Sequence, residues 1–485
     1  MISFRQLVLG AYPDYSAPES LPELPVTGLE VDSRLVQKGS VFIAVRGEKL
    51  DGLTFVEEAA QRGACAIISE ERPSTNLPWA GIPDSREAVA RLASVYFGHP
   101  SQKMKAVGIT GTNGKTTTTY LVEHILQKTG RKTGAIGTIQ YRYAGLEVPA
   151  AETTPGPLKL QKIFSEMASA GCTDVVMEVS SHALEQGRVS GVDFACAVFT
   201  NLTQDHLDYH GSMEKYFESK AKLFTGLSKE ATAVLNADDP YSAKMAALTK
   251  ARIVTFAIEK GADFRAQSLE HGAGSTRFIL STDKKKTPVV LPLIGRHNVS
   301  NALAAIAACE SLGIPAEKSA SALSDFPGVP GRLEAVQCGQ DFTVLIDFAH
   351  TPDGLENVLK ALSEHRESRL LVVFGCGGDR DRKKRPKMAE IASRWADFVY
   401  VTSDNPRSED PRVIAEEVRA GFPSGFTKQA VVLDRRKAIR QALLDARVGD
   451  IVLLAGKGHE RSQIMKDQVL PFSDREEAER VLNGR

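Results

Sequence analysis

One stretch of the chain concentrates residue types suited to phosphate chemistry. Gly108-Ile-Thr-Gly-Thr-Asn-Gly-Lys-Thr116 combines closely spaced glycines with a lysine and a hydroxyl. Glycines let backbone N–H groups approach phosphate oxygens, and a helix opening directly after the loop adds the favourable end of its dipole. In such a loop Gly111, Thr112, Asn113, Gly114, Lys115, Thr116 and Thr117 surround a nucleotide's phosphates. Lys115 reaches the terminal ones, and the Thr116 hydroxyl meets Mg²⁺. The generic pattern asks for Gly five residues before Gly114. Ile109 stands there instead, so the loop is a variant.

Two further polar clusters follow apolar runs in the middle of the chain. They are Glu178-Val-Ser-Ser-His182 and Asn201-Leu-Thr-Gln-Asp-His-Leu-Asp208. A Glu and a His beside a magnesium nucleotide suit hard-cation coordination or water-mediated support of it. The plainer reading of Ser180, Asn201 and Asp205 is helix capping. A shared sheet edge with the phosphate loop favours the functional reading. The last third has three such clusters: Gly375-Cys-Gly-Gly-Asp-Arg-Asp381, Asp404-Asn-Pro-Arg407 and Gly456-Lys-Gly-His-Glu460. Together they offer arginines, acids, a lysine and close-approach glycines, which fit a ligand carrying both carboxylate and ammonium groups. Gly375 to Arg380 lacks the third glycine of a dinucleotide fingerprint, so a nicotinamide cofactor is not expected.

The elements that must position these groups follow from the apolar runs. Residues 106–110, 175–179, 197–200, 343–348, 370–374, 398–402 and 451–454 read as short buried strands. Helical patterns lie between them, among them 87–96, 116–128 and 302–312. Continuous apolar strands alternating with helices mean an α/β fold with mostly parallel sheets. Ligands then sit outside the carboxyl ends of the strands. Boundaries near His99-Pro100 and at Pro327-Gly-Val-Pro-Gly-Arg332 divide the chain into three domains, 1–98, 99–330 and 331–485.

Composition narrows the class. The chain has 485 residues, with 60 basic and 60 acidic side chains, so no bulk positive charge recruits nucleic acid. No apolar run approaches the roughly 20 residues of a membrane helix. Six scattered cysteines without a CxxC pair argue against a disulfide scaffold or zinc site and fit a reducing cytoplasm.

Motifs spread over the whole chain, in order, resemble the Mur ligases of peptidoglycan synthesis. They are Asp32-Ser-Arg34 with Gly47 and Asp51-Gly52, Gly111 to Thr117, Thr153-Thr-Pro155, Glu178 to His182, Asp205-His206, and Tyr216-Phe-Glu-Ser-Lys-Ala-Lys-Leu-Phe224. Gly295-Arg-His-Asn298, Pro330-Gly-Arg332, Asp347-Phe-Ala-His-Thr-Pro352, Asp404 to Arg407 and Gly456 to Glu460 complete the set. Phe348 stands where the family usually has Tyr.

The resemblance implies an N-terminal UDP-binding domain, a central P-loop ATPase domain and a C-terminal Rossmann-like domain. It implies that ATP phosphorylates a carboxylate of UDP-MurNAc-L-Ala-D-Glu and that an amino acid's amine displaces the phosphate. Carried over by motif, Ser33 would contact the uridine nucleotide. Thr153, Thr154, Ser180, Gln186 and Arg188 would hold the muramoyl dipeptide. Thr116, Glu178 and His206 would serve magnesium, together with Lys220, which matches a lysine the family carbamylates. Lys115, Lys220, His206 and Glu178 are the catalytic set so implied. Asn298 would recognise adenine, and Arg332 and Asp347 would hold the nucleotide from across the cleft.

Family members that use meso-diaminopimelate carry Asp-Asn-Pro-Arg where this chain has Asp404, Asn405, Pro406 and Arg407. The expected amino acid is therefore meso-diaminopimelate. Arg407 would fork its far carboxylate, Arg380 and Gly456 would hold other groups, and Glu460 would face an ammonium. The expected protein is a cytoplasmic monomer that uses ATP and Mg²⁺. A folylpolyglutamate synthetase is the alternative with the same ATPase core, but it should lack Asp32-Ser-Arg34 and Asp404 to Arg407. A non-catalytic P-loop protein is the other alternative, separable by substrate-dependent phosphate release.

Overall fold

The computed structural model describes residues 2–16, 21–47, 50–272, 274–364, 366–466 and 468–484. Three sheets of four or more strands follow one another along the chain, with two two-stranded ribbons beside them. The first has four parallel strands in the order β1 (Gly28–Glu30), β2 (Ser40–Ile43), β3 (Ala66–Ser69) and β4 (Trp79–Gly81). The helix α1 (Ser85–Tyr96) follows, capped by the Asp84 carboxylate.

The central sheet is built on β5 (Lys105–Thr110), β6 (Thr133–Ile136), β7 (Gln140–Tyr143), β8 (Leu146–Pro149), β9 (Asp174–Glu178), β10 (Phe194–Phe199), β11 (Thr232–Asn236), β12 (Arg252–Ala257), β13 (Phe264–His271), β14 (Thr276–Ser281) and β15 (Lys286–Leu291). Its order is β8-β7-β6-β9-β5-β10-β11-β12-β13-β14-β15. The seven strands from β6 to β13 in that order run parallel, whereas β7 and β8 on one edge and β14 and β15 on the other add antiparallel hairpins. Sequence reading did not anticipate these edges. Their strands are partly exposed and lack the continuous apolar run that marks a buried parallel strand.

Two helices cover one face of this sheet at the phosphate loop. The first, α2 (Lys115–Lys128), buries Leu121, Val122, Ile125 and Leu126. Beside it packs α5 (Arg296–Ser311), whose Ala302, Ala304, Ala305, Ala307 and Ala308 share the same apolar core. Small side chains let the two helices approach closely. This helix starts six residues before the expected 302, at Arg296, because Gly295 at φ +92 ends the preceding loop. Between these two in the chain lie α3 (Ser181–Glu185) and α4 (Met213–Thr225).

The C-terminal sheet holds β16 (Glu334–Val336), β17 (Thr343–Asp347), β18 (Leu370–Phe374), β19 (Phe398–Val401), β20 (Gln429–Val431) and β21 (Ile451–Ala455), in the order β16-β17-β21-β18-β19-β20. Every pair but the β16–β17 edge is parallel. The strands from 343 and 398 stop one residue short of the expected ends. Phe348 and Thr402 belong to loops, where the chain leaves the sheet toward the site. The helices α6 (Pro352–Ser363), α7 (Lys384–Trp395), α8 (Arg435–Asp445) and α9 (Asp474–Asn483) accompany this sheet.

Candidate active site

Parallel pairing puts the informative residues side by side. The phosphate loop leaves β5 between its neighbours β9, which ends at Glu178, and β10, which leads into Asn201–Asp205. In the C-terminal sheet, β21, β18 and β19 are adjacent. Gly456, Gly375 and Asp404 therefore emerge at one edge. The two edges face each other across a cleft. A cavity of about 340 Å³ between them is lined from one side by Lys115, Thr116, Glu178, Ser180, Asp205 and His206. From the other side it is lined by Arg380, Lys384, Asp404, Asn405, Arg407, Gly456 and Glu460.

The loop itself is fixed by close contacts. Gly111 has φ +151, and a Cβ there would lie 1.9 Å from Thr200 Oγ1. Gly114 has φ +88, and its Cβ would meet Asn301 Oδ1 at 2.3 Å. Neither site admits a side chain. The Asn113 N–H donates to Asn201 Oδ1 at 2.9 Å, so the neighbouring strand end holds the loop open. Lys115 Nζ donates to the Gly111 and Thr112 carbonyls, both at 2.9 Å.

Glu178 is buried and takes three hydrogen bonds: from the Thr116 hydroxyl at 2.9 Å, the Thr138 hydroxyl at 3.0 Å and the Thr138 N–H at 2.9 Å. Thr138 was not singled out by sequence and lies in no motif. His206 sits in the left-handed region at φ 53, and burial pushes its imidazole well below the usual value, leaving it neutral. Lys220 points inward from α4. Its Nζ donates to the Gly111 carbonyl at 3.0 Å and stands 4.4 Å from the Tyr216 ring centre. Burial, then the charge on Lys115, push its pKa far down.

A second cavity of about 150 Å³ continues from the loop past Thr117, Asn298, Arg332 and Asp347. Asn298 donates to the Ile294 carbonyl at 2.9 Å and accepts from Asn301 at 3.3 Å. Arg332 reaches over the cleft to the Thr116 hydroxyl at 3.2 Å, with its guanidinium 4.8 Å from the Phe348 ring centre. Asp347 accepts two backbone N–H bonds at 2.7 Å, and burial raises its pKa.

The residues expected to hold a dipeptide lie along one wall. Thr153 hydrogen-bonds Thr138 at 3.1 Å, and the Thr154 hydroxyl donates to the Glu178 carbonyl at 2.9 Å. Ser180 caps α3. Gln186 accepts from Arg188, which also donates to Glu152 and to the Thr154 carbonyl, each at 2.8 Å. Asn201 and Asp205, the other suspected caps, cap no helix. Ser33 is remote from these two cavities: it lies in the N-terminal domain, buried, and its hydroxyl donates to Glu58 at 2.7 Å.

At the other wall Glu460 lines the cavity and accepts through one oxygen, Oε2, from the buried Lys457 at 2.6 Å and from Asn405 at 2.9 Å. Asp404 Oδ2 is buried, has no hydrogen-bond partner among the described residues and faces Gly456. Arg407, at φ 51, donates through one nitrogen to the Gly378 and Asn405 carbonyls at 2.8 and 3.3 Å. No carboxylate among the described residues forms an ion pair with it, while burial and Arg380 lower its pKa. Pro406 shapes the turn, and its carbonyl packs against Gly378.

Comparison with known proteins accords with this geometry. Three family models match: the Mur ligase family catalytic domain over residues 25–107, the Mur ligase middle domain over 109–309 and the Mur ligase glutamate ligase domain over 331–458. A UDP-N-acetylmuramoyl-L-alanyl-D-glutamate--2,6-diaminopimelate ligase of Geobacillus kaustophilus is 47% identical over 466 residues, covering 95% of each chain. A solved structure of a ligase with that name is 33% identical, with a TM-score of 0.72 over 100% of this chain and 99% of its own. A MurF ligase from Thermotoga maritima in complex with ADP shares the fold at 21% identity, with a TM-score of 0.67 over 96% of this chain and 99% of its own. The chain belongs to the Mur ligase family.

Proposed function

We propose that this protein is an ATP-dependent ligase that adds meso-diaminopimelate to UDP-MurNAc-L-Ala-D-Glu through an acyl phosphate. The observation that carries the reading is a single cavity with a phosphate loop on one wall and, on the other, Arg407 without a carboxylate partner and Asp404 Oδ2 without a hydrogen-bond donor among the described residues. A phosphorylating and an amine-binding site face one another, as two-step amide formation requires.

The domains divide the work. Residues 1–98 hold the uridine nucleotide through Ser33, 99–330 the ATP and the muramoyl dipeptide, and 331–485 the incoming amino acid. ATP lies on the loop from Gly111 to Thr117, with its base against Asn298 and its ribose side against Arg332 and Asp347. Thr153, Thr154, Ser180, Gln186 and Arg188 align the dipeptide so that its carboxylate meets the terminal phosphate. Lys115 turns from the loop carbonyls to that phosphate.

Thr116, Glu178 and neutral His206 form an oxygen-and-imidazole set with few protein ligands, which suits Mg²⁺ sharing its coordination with phosphate oxygens and water. Thr116, Glu178 and His206 would hold the ion, and it would supply neutralisation of the charge on the transferred phosphoryl group. Burial, then the charge on Lys115, lowers the pKa of Lys220 and favours its free amine over the ammonium. Such an amine adds to carbon dioxide, forming a carbamate N–C bond and releasing a proton, and the product is an anion at the metal site.

Phosphorylation converts a poor electrophile into one with a leaving group. Arg407 forks the far carboxylate of the amino acid, Arg380 holds another of its groups, and Asp404 accepts from an ammonium. Asn405, Pro406, Gly456 and Glu460 with its Lys457 partner hold that wall rigid. The amine nitrogen then bonds to the acyl carbon, the C–O bond to phosphate breaks, phosphate leaves with the electron pair, and the amine gives up its proton. Among the described residues no helix is long and apolar enough to cross a membrane. The protein acts as a cytoplasmic monomer. An ATP-dependent ligation assay with UDP-MurNAc-L-Ala-D-Glu and a panel of amino acids tests the reading. Phosphate release should require both partners, with diaminopimelate preferred. Release independent of the amino acid, or a preference for lysine, overturns it.

A further inference from the structure

Lys384 opens α7 and is 6% exposed, yet its ammonium forms no hydrogen bond or ion pair among the described residues. It lines the large cavity. Its stem is buried while its ammonium reaches the cavity, where a cation with no protein partner is placed to meet an anion. Its surroundings show which part of the cavity it addresses. Burial and then Lys384 push the His350 imidazole down to about 4. His350 lines both the large cavity and the nucleotide cavity, whereas Arg380 and Arg407 line the large one.

A polar clasp sets this position. Gln204, next to Asp205 on the central domain, donates to Asp381 at 3.0 Å and accepts from Lys387 at 2.5 Å. Asp381 also accepts from the Lys383 N–H at 2.9 Å. The first turn of α7 is therefore held against the Asp205–His206 loop only when the two domains are docked.

We propose that Lys384 is a catalytic residue of the ligation, a cation that the C-terminal domain delivers across the cleft to the phosphoryl group as it passes to the substrate carboxylate and leaves again as phosphate. This rests on the proposed ligase reading. In the first step the bond from the terminal phosphorus to the ADP oxygen breaks and a bond to the carboxylate oxygen forms. In the second the acyl carbon gains nitrogen and loses the phosphate oxygen. Negative charge stays on the phosphoryl oxygens through both, and Lys384 meets it from the side opposite Lys115.

The test compares Lys384→Met, which keeps the packing of the stem, with Lys384→Arg in the full chain. Steady-state kcat and each KM are measured, together with exchange of labelled ADP into ATP in the presence of UDP-MurNAc-L-Ala-D-Glu without amino acid. Removing one preorganised charge from a transition state costs on the order of 10²-fold in kcat or more. Lys384→Met should lose that much in both ligation and exchange, with KM for diaminopimelate within about threefold of wild type. Lys384→Arg should recover at least about tenfold over Met. A kcat near wild type, a loss confined to the KM for diaminopimelate, or an Arg variant no better than Met overturns the proposal. Failure of the wild type to ligate at all would instead overturn the ligase reading.

Discussion

Arg407 is held by two carbonyls on one nitrogen and leaves the rest of its fork without a carboxylate among the described residues. Diaminopimelate differs from lysine by a carboxylate at its far end, and that group completes the fork with two charge-assisted bonds. Lysine would leave it unfilled and bring an ammonium instead. Sites built on such a partner reject the analogue by about 10⁴-fold or more. The wild type should favour diaminopimelate over L-lysine on that scale in kcat/KM. Arg407→Ala should lose most of the preference through poorer use of diaminopimelate, and a variant that keeps it removes Arg407 as the selector. Lys220 makes a second residue-scale case. A carbamate needs a primary amine, so Lys220→Arg should be inactive even though a long basic side chain is retained. Lys220→Ala should be inactive too, and acetate should partly restore it by supplying a carboxylate in the hole. Full activity of Lys220→Arg excludes the carbamate.

Elements transmit order to the site through buried charge. Arg435 on α8 and Asp474 at the start of α9 are both fully buried and pair through two bonds at 2.7 and 2.6 Å. Arg435 also donates to the carbonyl of Ala455, the last residue of β21 before Gly456, at 2.9 Å. Breaking such a pair from one side leaves the other charge stranded and costs about 3–5 kcal/mol. Arg435→Ala should lower stability by that amount in urea melts and raise the KM for the amino acid, because the Gly456 turn loses its anchor. Arg435→Met with Asp474→Leu should recover most of the stability without restoring the KM. If the double variant is as unstable as the single one, stranded charge is not the cause. Nothing near Arg435 in the sequence signals this role, since its partners are 39 and 20 residues away. The strands themselves were legible, because a buried parallel strand is a continuous apolar run and its polar sequel marks the ligand edge. The antiparallel edges, the early start of α5 and the pairing of Glu460 with Lys457 were not. Each is decided by tertiary contacts, which outweigh local pattern. Lys384 was passed over for the same reason: in Lys383-Lys384-Arg385 one lysine cannot be told from the next until the helix is set against the cleft.

The docked arrangement of the central and C-terminal domains rests largely on polar contacts at the site. Arg332 meets Thr116 at 3.2 Å, Asn113 donates to Asp353 at 2.6 Å, Thr351 to Asn113 at 3.3 Å, and Gln204 closes the clasp with Asp381. Contacts of this kind exchange readily with water, and interfaces within a chain that are small and polar permit motion by default. Three of the four engage the phosphate loop or its first helical turn. A nucleotide on the loop therefore adds contacts on both sides of the cleft and favours docking by its differential affinity for the docked state. The chemistry asks for the same closure, since an acyl phosphate must be kept from water while the amine is brought to attack distance. In small-angle scattering, the protein with ADP, UDP-MurNAc-L-Ala-D-Glu and diaminopimelate should show a smaller radius of gyration than the protein alone. The liganded profile should match the docked arrangement. Asp353→Ala removes one contact of the phosphate loop without removing a proposed ligand of the nucleotide. It should leave the liganded profile unchanged, shift the unliganded one toward larger radius, and raise the KM for ATP. Identical profiles for the liganded and unliganded wild type would show that the domains do not open, and closure would then contribute nothing to the mechanism.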